Sequence, residues 1–265
     1  MSAAGVLPPS ALPFVFSLAL CAARWLPTLI VVPLFTPRSL SPLLRAALSL
    51  SLALPVAAAL PSSGIVPPLA QAVGLVAKEL GIGLVLAVAL GIPLWAVEAA
   101  GAWLDYQRGA NPQALDPAAF AEASIFGALL QQAACVYLLR SGAFHAVLAI
   151  VYASFMHWPP TIWLPPMPHD TSALAGELAA LLARYALILA LPALLALLLV
   201  ETCFAVLSRA SARLPTYVAA SPFKSVALLV TAALMLPDFL QAVDDLVGEH
   251  LVRAADLFDI EKRGE

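Results

Sequence analysis

Two carboxylates and a glycine lie on one side of a long apolar segment. The sequence from Trp95 to Pro117 reads WAVEAAGAWLDYQRGANPQALDP and follows one of the most apolar stretches of the chain. Glu98, Gly101 and Asp105 are spaced by three and four residues, which places them on one face of a helix. Carboxylates there form a polar contact with another helix or line a water-filled path, and glycine lets a second backbone approach. The spacing leaves both interpretations open.

Further charged residues lie in or beside the apolar segments: Arg24, Lys78, Glu79, Arg140, Arg184 and Glu201. A charge inside a membrane segment is costly, so each is a candidate functional residue. We expect Lys78 and Glu79 to lie at the membrane interface, where long side chains reach the headgroups. Arg24 and Glu98 have apolar sequence on both sides and are the stronger candidates.

The sequence contains none of the common motifs of soluble enzymes, such as HExxH, GxSxG, GxGxxG or the P-loop. Its 3 cysteines and 4 histidines are scattered without the spacing of a metal site or a disulfide framework. We therefore predict no enzymatic activity, no cofactor and no metal. The net charge of −3, with no basic stripe, argues against a nucleic-acid partner.

Composition indicates a membrane protein. Hydrophobic residues make up 62% of the 265-residue chain and charged residues 11%, whereas a soluble domain is about half apolar and about a quarter charged. Alanine and leucine dominate and favour helices. Six apolar segments approach or exceed the roughly 20 residues that a spanning helix needs: 11–36, 43–60, 69–104, 120–156, 173–208 and 225–247.

The apolar segments are interrupted by breaks. The fourth is broken at Leu139–Gly142, and the chain has 23 prolines, many inside segments, where proline kinks a helix. We predict an all-α, polytopic helical membrane protein of kinked hairpins, with about six long apolar helices. By the positive-inside rule, the arginines and lysine of 37–45, 105–119 and 208–224 place these loops in the cytoplasm.

Three stretches of the chain contain motifs in a specific order and spacing. The first, PRSLSPLLRAALSLSLALP, contains Arg38, Pro42 and Arg45. The second runs from KELGIG to the Asp-Pro pair and contains Glu79, Gly83, Glu98, Gly101, Asp105, Gln107, Gly109, Asp116 and Pro117. The third, SRASARLPTYVAASPFKSV, contains Ser208, Arg209, Pro215, Pro222 and Lys224. In their order and spacing these stretches resemble one family, the T subunit of the type III secretion export apparatus, and the resemblance extends over nearly the whole chain.

The resemblance implies a structural and gating subunit of a helical pore assembly in the bacterial inner membrane, through which unfolded proteins are exported. R-type and S-type subunits would complete the ring, and a U-type switch protein and a V-type gate protein would be neighbours. Residues 1–170 would be the R-like part and 171–250 an S-like helical hairpin, with 251–265 an acidic C-terminal tail. Flagellar and injectisome systems are both compatible with this sequence.

The resemblance also implies roles for particular residues. The loop 105–117 would form a plug, with Asp105, Tyr106, Gln107, Arg108, Gly109, Asn111, Asp116 and Pro117. Packing against a neighbouring subunit or the pore lumen would involve Arg38, Pro42, Arg45, Glu98 and Gly101. A cytoplasmic turn that contacts the switch protein would contain Arg209, Pro222, Phe223 and Lys224.

A second function class is a secondary transporter. In such a protein Glu98, Arg24 and Glu201 would form an ion or proton relay, with broken helices around a site at the bilayer midplane. We see no convincing repeat of the third span, although transporters of this kind contain internal repeats. A third class, an intramembrane enzyme, lacks a visible nucleophile–base pair.

Overall fold

The computed structural model describes residues 11–35, 40–60, 67–109, 124–163, 171–210 and 216–257. Within these ranges the chain forms α-helices joined by short turns, with one 3₁₀ turn at Pro33–Phe35 and no β-strand. The seven α-helices, numbered in chain order, are α1 Leu12–Val31, α2 Pro42–Ala59, α3 Leu69–Arg108, α4 Ile125–Ser141, α5 Ala143–His157, α6 Thr171–Ala210 and α7 Thr216–Leu257. The predicted all-α class is confirmed.

Local sequence explains where several helices begin and end. The hydroxyls of Ser41 and Ser124 accept hydrogen bonds from the amides of Leu44 and Gly127, and so cap α2 and α4. Gly142 separates α4 from α5 with φ 93°, a left-handed conformation that glycine adopts without steric cost. The predicted break at Leu139–Gly142 is therefore confirmed.

The helices are long and apolar enough for several membrane spans. Five described helices pass this criterion alone, and α4 with α5 would make a sixth as one broken span. This agrees with the predicted number and establishes a multi-pass membrane protein. Prolines lie inside α1, α2, α3, α6 and α7, as the predicted kinked helices require.

Two predicted boundaries are wrong. Helix α3 continues to Arg108, so Asp105, Tyr106, Gln107 and Arg108 are its last turn and not part of a loop. Helix α7 begins at Thr216 and ends at Leu257. The proposed cytoplasmic turn at Pro222–Lys224 is therefore helical, and the first residues of the predicted tail continue the helix.

The chain divides into two compact units. The first contains Met1–Gly91, Phe144–Leu174 and Leu251–Glu265, and the second contains Ile92–Ala143 and Ala175–His250. In the first unit α2 packs against α1, and the Tyr152 hydroxyl of α5 donates to the Leu52 carbonyl of α2 at 2.9 Å. In the second unit Leu104, Leu197 and Leu228 join α3, α6 and α7 in an apolar core. The division into R-like and S-like parts stays a prediction.

Candidate functional site: polar clusters inside the apolar helices

In the first unit, Arg24 is fully buried and every donor group of its guanidinium is directed at a neighbour. Its Nε lies 2.7 Å from Glu79 Oε2, and both side chains are 0% exposed. Nη1 donates to the Ser154 hydroxyl at 3.0 Å and Nη2 to the Trp158 carbonyl at 2.7 Å. The Phe155 ring lies 4.1 Å from the guanidinium carbon, close enough for a cation–π contact. We name Arg24, Glu79, Ser154 and Trp158 the Arg24 cluster.

Lys78 extends this cluster to the turn that follows α5. Its Nζ lies 2.8 Å from Glu79 Oε1 and donates to the carbonyls of Pro160 at 3.0 Å and Ile162 at 2.7 Å. Lys78 therefore supplies hydrogen-bond donors to carbonyls of the turn that have no helical amide as a partner. The Glu79 carboxylate is fully buried against Arg24, and its depth at the membrane interface stays a prediction. Two opposite charges in separate apolar segments were the signal that could have predicted this pair.

In the second unit, the stripe of Glu98, Gly101 and Asp105 faces α4 of the same chain. The Gln131 amide donates to Glu98 Oε2 at 2.8 Å and to the Leu94 carbonyl at 3.3 Å. A Cβ added at Gly101 would lie 2.7 Å from the amide nitrogen of Gly127, so the two glycines allow direct contact between the helix backbones. The stripe is thus a polar helix–helix contact within one chain.

Asp105 joins the end of α3 to the start of α4. One carboxylate oxygen accepts from the Phe126 amide at 3.0 Å and from the Ser124 hydroxyl. The other accepts from Arg108 Nε at 2.8 Å. Asp105 is 5% exposed, and its charge at the amino-terminal end of α4 stabilises the orphan amides and the helix dipole there. The sequence did not predict the contact of Asp105 with the start of α4, because Ser124 lies 19 residues further along the chain.

A further cluster, which we name the α3-end cluster, consists of Gln107, Arg108, Glu201, Ser221 and Lys224. Lys224 Nζ lies 3.2 Å from Glu201 Oε2 and donates to the Gln107 carbonyl at 3.2 Å. The Gln107 side-chain amide donates to the same carboxylate oxygen at 2.9 Å, and the Ser221 hydroxyl donates to the Arg108 carbonyl at 3.2 Å. The last carbonyls of α3 thereby find donors from α7, and a lysine at a helix carboxyl terminus is electrostatically favourable.

The structure places the other predicted site residues in different environments. Pro42 begins α2 and is exposed, and Arg45 donates to the Leu40 carbonyl of its own chain at 3.0 Å. Gly109 has φ 90° and ends α3. Arg209, Pro222 and Phe223 are exposed. Lys224 is buried and paired with Glu201, and its predicted contact with a partner stays a prediction. The remaining predicted positions, Arg38, Asn111, Asp116 and Pro117, lie outside the described residues.

The polar side chains of these clusters are paired with one another, as in structural contacts between helices. The charged members of the Arg24 cluster and the α3-end cluster lie in ion pairs, and Glu98 has an amide partner. The described residues contain no group of three or more histidine, cysteine, aspartate or glutamate side chains that could hold a metal ion. Such contacts hold apolar helices in register.

Comparison with known proteins identifies the family of this chain. The sequence model of the family described as bacterial export proteins, family 1, matches residues 15–250. This chain belongs to the bacterial export proteins of family 1. The predicted resemblance to the T subunits of the type III secretion export apparatus is confirmed, and the similar proteins are export-apparatus components.

Several relatives of this export protein have names that refer to secretion. It is 28% identical to the secretion system apparatus protein SsaT of Salmonella typhimurium over 229 residues. This aligned region covers 84% of this chain and 88% of that protein. It is 32% identical over 152 residues to the Yop proteins translocation protein T of Yersinia pestis, 57% of this chain and 58% of that protein. The match to the surface presentation of antigens protein SpaR of Shigella sonnei is 28% over 178 residues, 65% and 67% of the two chains. The chain thus spans less than two thirds of the Yersinia protein.

Proposed function

We propose that this family 1 export protein is a structural and gating subunit of the type III secretion export pore in the bacterial inner membrane. Unfolded proteins would pass through that pore, and the neighbours would be R-type and S-type subunits, a U-type switch protein and a V-type gate protein. The family assignment supports a role in secretion. The pore, its partners and its membrane are the parts that we propose.

The observation that carries the proposal is the pairing of charges inside the apolar helices. Arg24 is bound to Glu79, and Glu98 is bound to Gln131. A proton or ion carrier needs a titratable group that alternates between partners at a midplane site. Fixed pairs that join separate helices of one chain suit a scaffold, so they favour the pore subunit over the transporter with Arg24 and Glu98 as its relay. A pore subunit of this kind requires no catalytic step.

We retain the plug in a revised form. The residues from Gly109 to Pro117 would form the barrier, and the last turn of α3 would be its fixed base. Support comes from the contacts at that base, where Asp105, Gln107 and Arg108 bind α4, α6 and α7. A barrier must yield to a passing chain while its attachment stays in place.

The contact with the switch protein is likewise revised. Lys224 is committed to Glu201 and Gln107 and cannot offer its charge to a partner. Pro222 and Phe223 are exposed, and Phe223 lies 5.1 Å from Phe204 between ring centroids. We therefore assign the contact to Phe204 and Phe223 and to the exposed Arg209 of α6.

Photocrosslinking to a stalled substrate tests the pore. Tyr106 is 70% exposed in the last turn of α3, and Met156 is 87% exposed near the end of α5. A photoreactive residue at Tyr106 should crosslink to an export substrate that a folded carboxyl-terminal domain holds in the channel, and Met156 serves as the control. Equal labelling at both positions, or none at Tyr106 in fully assembled complexes, would contradict the proposed pore lining.

A further inference from the structure

An apolar cavity of about 240 Å³ lies in the second unit. It is lined by side chains from the end of α3, the start of α4, and the middle of α6 and α7, among them Leu104, Phe126, Pro192, Ala193 and Leu228. Ile188 and Met235 also line it and are exposed, so the cavity opens on the apolar surface of the protein. Apolar cavities exclude water and accept apolar ligands.

The cavity is elongated along α7. Its lining on that helix runs from Leu228 to Ala242, a distance of about 21 Å at the helical rise of 1.5 Å per residue. From Leu228 to Asp238 the distance is about 15 Å, which is half of the roughly 30 Å hydrocarbon core of a bilayer. The part between these two residues therefore has the length of one lipid leaflet.

Asp238 follows directly after the long apolar stretch of α7. From Ala220 to Pro237 the helix contains one charged residue, Lys224, and this stretch extends for about 27 Å, close to the thickness of the core. After Pro237 the helix becomes acidic, with Asp238, Asp244, Asp245 and Glu249. Asp238 thus lines the cavity at the end of an apolar stretch that is about as long as the hydrocarbon core is thick.

The carboxylate of Asp238 is available to a ligand. The residue is exposed, and within the described ranges no hydrogen bond or ion pair occupies its oxygens. The other carboxylates further along the helix add negative potential, which repels phosphate-bearing headgroups of net negative charge and attracts a cation. An ammonium group meets this requirement.

We propose that the cavity binds one acyl chain of a bilayer aminophospholipid and that Asp238 is the counter-ion of its ammonium headgroup. The acyl chain lies along α7 towards Leu228, and the headgroup lies beside Asp238. A flexible chain of leaflet length fills an elongated cavity, whereas one side chain of a partner helix would fill only part of it. This inference goes beyond the proposed function and does not depend on it.

Labelling of the unmodified full chain tests the site. The chain is reconstituted in vesicles of phosphatidylglycerol that contain a trace of phosphatidylethanolamine with a photoreactive acyl chain. Crosslinks should map to the lining around Ala193 and Ala232 and should exceed those at the exposed Leu199 of α6 about tenfold. Excess unlabelled phosphatidylethanolamine should suppress them, and phosphatidylglycerol should not. Labelling spread evenly over the exposed faces of α6 and α7 would overturn the proposal.

Matched variants separate the two halves of the site. Ala193→Phe fills the cavity and should lower its labelling about tenfold, whereas Ala205→Phe adds the same bulk at an exposed position of α6 and should not. Asp238→Asn should leave acyl-chain labelling in place but abolish the preference for phosphatidylethanolamine. Unchanged labelling in Ala193→Phe, or an unchanged preference in Asp238→Asn, would refute the site.

Crosslinks from Ala232 to a partner subunit instead of lipid in the assembled complex would show that a protein occupies the cavity. The unmodified chain decides the question even if Ala193→Phe does not fold.

Discussion

At the scale of single residues, the protein uses charge inside apolar helices to fasten them to one another. Arg24 illustrates the principle, since its Nε, Nη1 and Nη2 donate to Glu79, Ser154 and the Trp158 carbonyl. An arginine inside a membrane segment is tolerated when a protein partner replaces water. Its planar fork of donors suits several acceptors at once. Removing one member of such a group leaves the others buried and unpaired.

Glu79→Gln should therefore destabilise the chain by about 3–5 kcal/mol, the usual cost of leaving a buried charge unpaired. The thermal midpoint of the purified protein in detergent measures this loss. The control is Glu177→Gln, which alters an exposed carboxylate and should have little effect. The double variant Arg24→Met with Glu79→Met should recover part of the loss. Equal midpoints for Glu79→Gln and Glu177→Gln would show that the pair does not hold the fold.

Gly101→Ala should destabilise the isolated chain by about 1–3 kcal/mol, because an added methyl group overlaps the Gly127 backbone and overpacking has this cost. The defect should appear without partner subunits, since both helices belong to one chain. Gly81→Ala is the matched control, because a Cβ there meets nothing within 4 Å. If Gly101→Ala lowered only complex recovery and left the isolated chain unchanged, the glycine would serve a subunit interface instead.

At the scale of helices, α3 is the most buried of the five described helices that are long and apolar enough to span a membrane. In the most apolar part of α3, 67% of the residues are buried, against 11% in the most apolar part of α7. Its last carbonyls receive donors from Lys224 and Ser221. A long helix with a fixed end provides a rigid support for whatever follows Gly109.

Lys224→Met should loosen that end. The Gln107 carbonyl would lose its donor, and a lost hydrogen bond of about 1 kcal/mol should speed amide exchange in the last turn of α3 roughly fivefold. Hydrogen–deuterium exchange of the peptides that contain Leu104 to Gly109 measures this change. Arg209→Met removes an exposed charge and should leave these peptides unchanged. Identical exchange in both variants would mean that Lys224 does not fix the helix end.

The elements show what sequence could and could not predict. The break between α4 and α5 was predictable, because Gly142 follows a run that ends in Arg140 and Ser141. The true end of α3 was not, because residues 105–108 are polar and resemble a loop until Ser124, Ser221 and Lys224 supply partners from distant positions. The helical state of Pro222 was missed for a related reason. Proline and lysine together suggested a solvated turn, whereas the lysine charge is compensated by Glu201.

At the scale of the whole molecule, the sequence predicted the class and the family, whereas the pairing of its charges required the structure. Glu98 and Asp105 are spaced as expected for one helical face, yet both contact α4 of the same chain. Spacing determines which side chains share a face but not which element covers that face. The pore, its gate and its partners are therefore proposals that need the assembled complex.

Ion leakage tests most directly whether this export protein gates a pore, as we propose. Deletion of Ala110–Ala114 shortens the proposed barrier but leaves Asp105, Ser124 and the α3-end cluster in place. We predict that the complex assembles in normal amount and that cells become permeable to small ions, as measured by loss of membrane potential and by conductance of the purified complex in planar bilayers. A deletion variant that assembles normally, keeps the membrane tight and secretes at the normal rate would contradict the gating role.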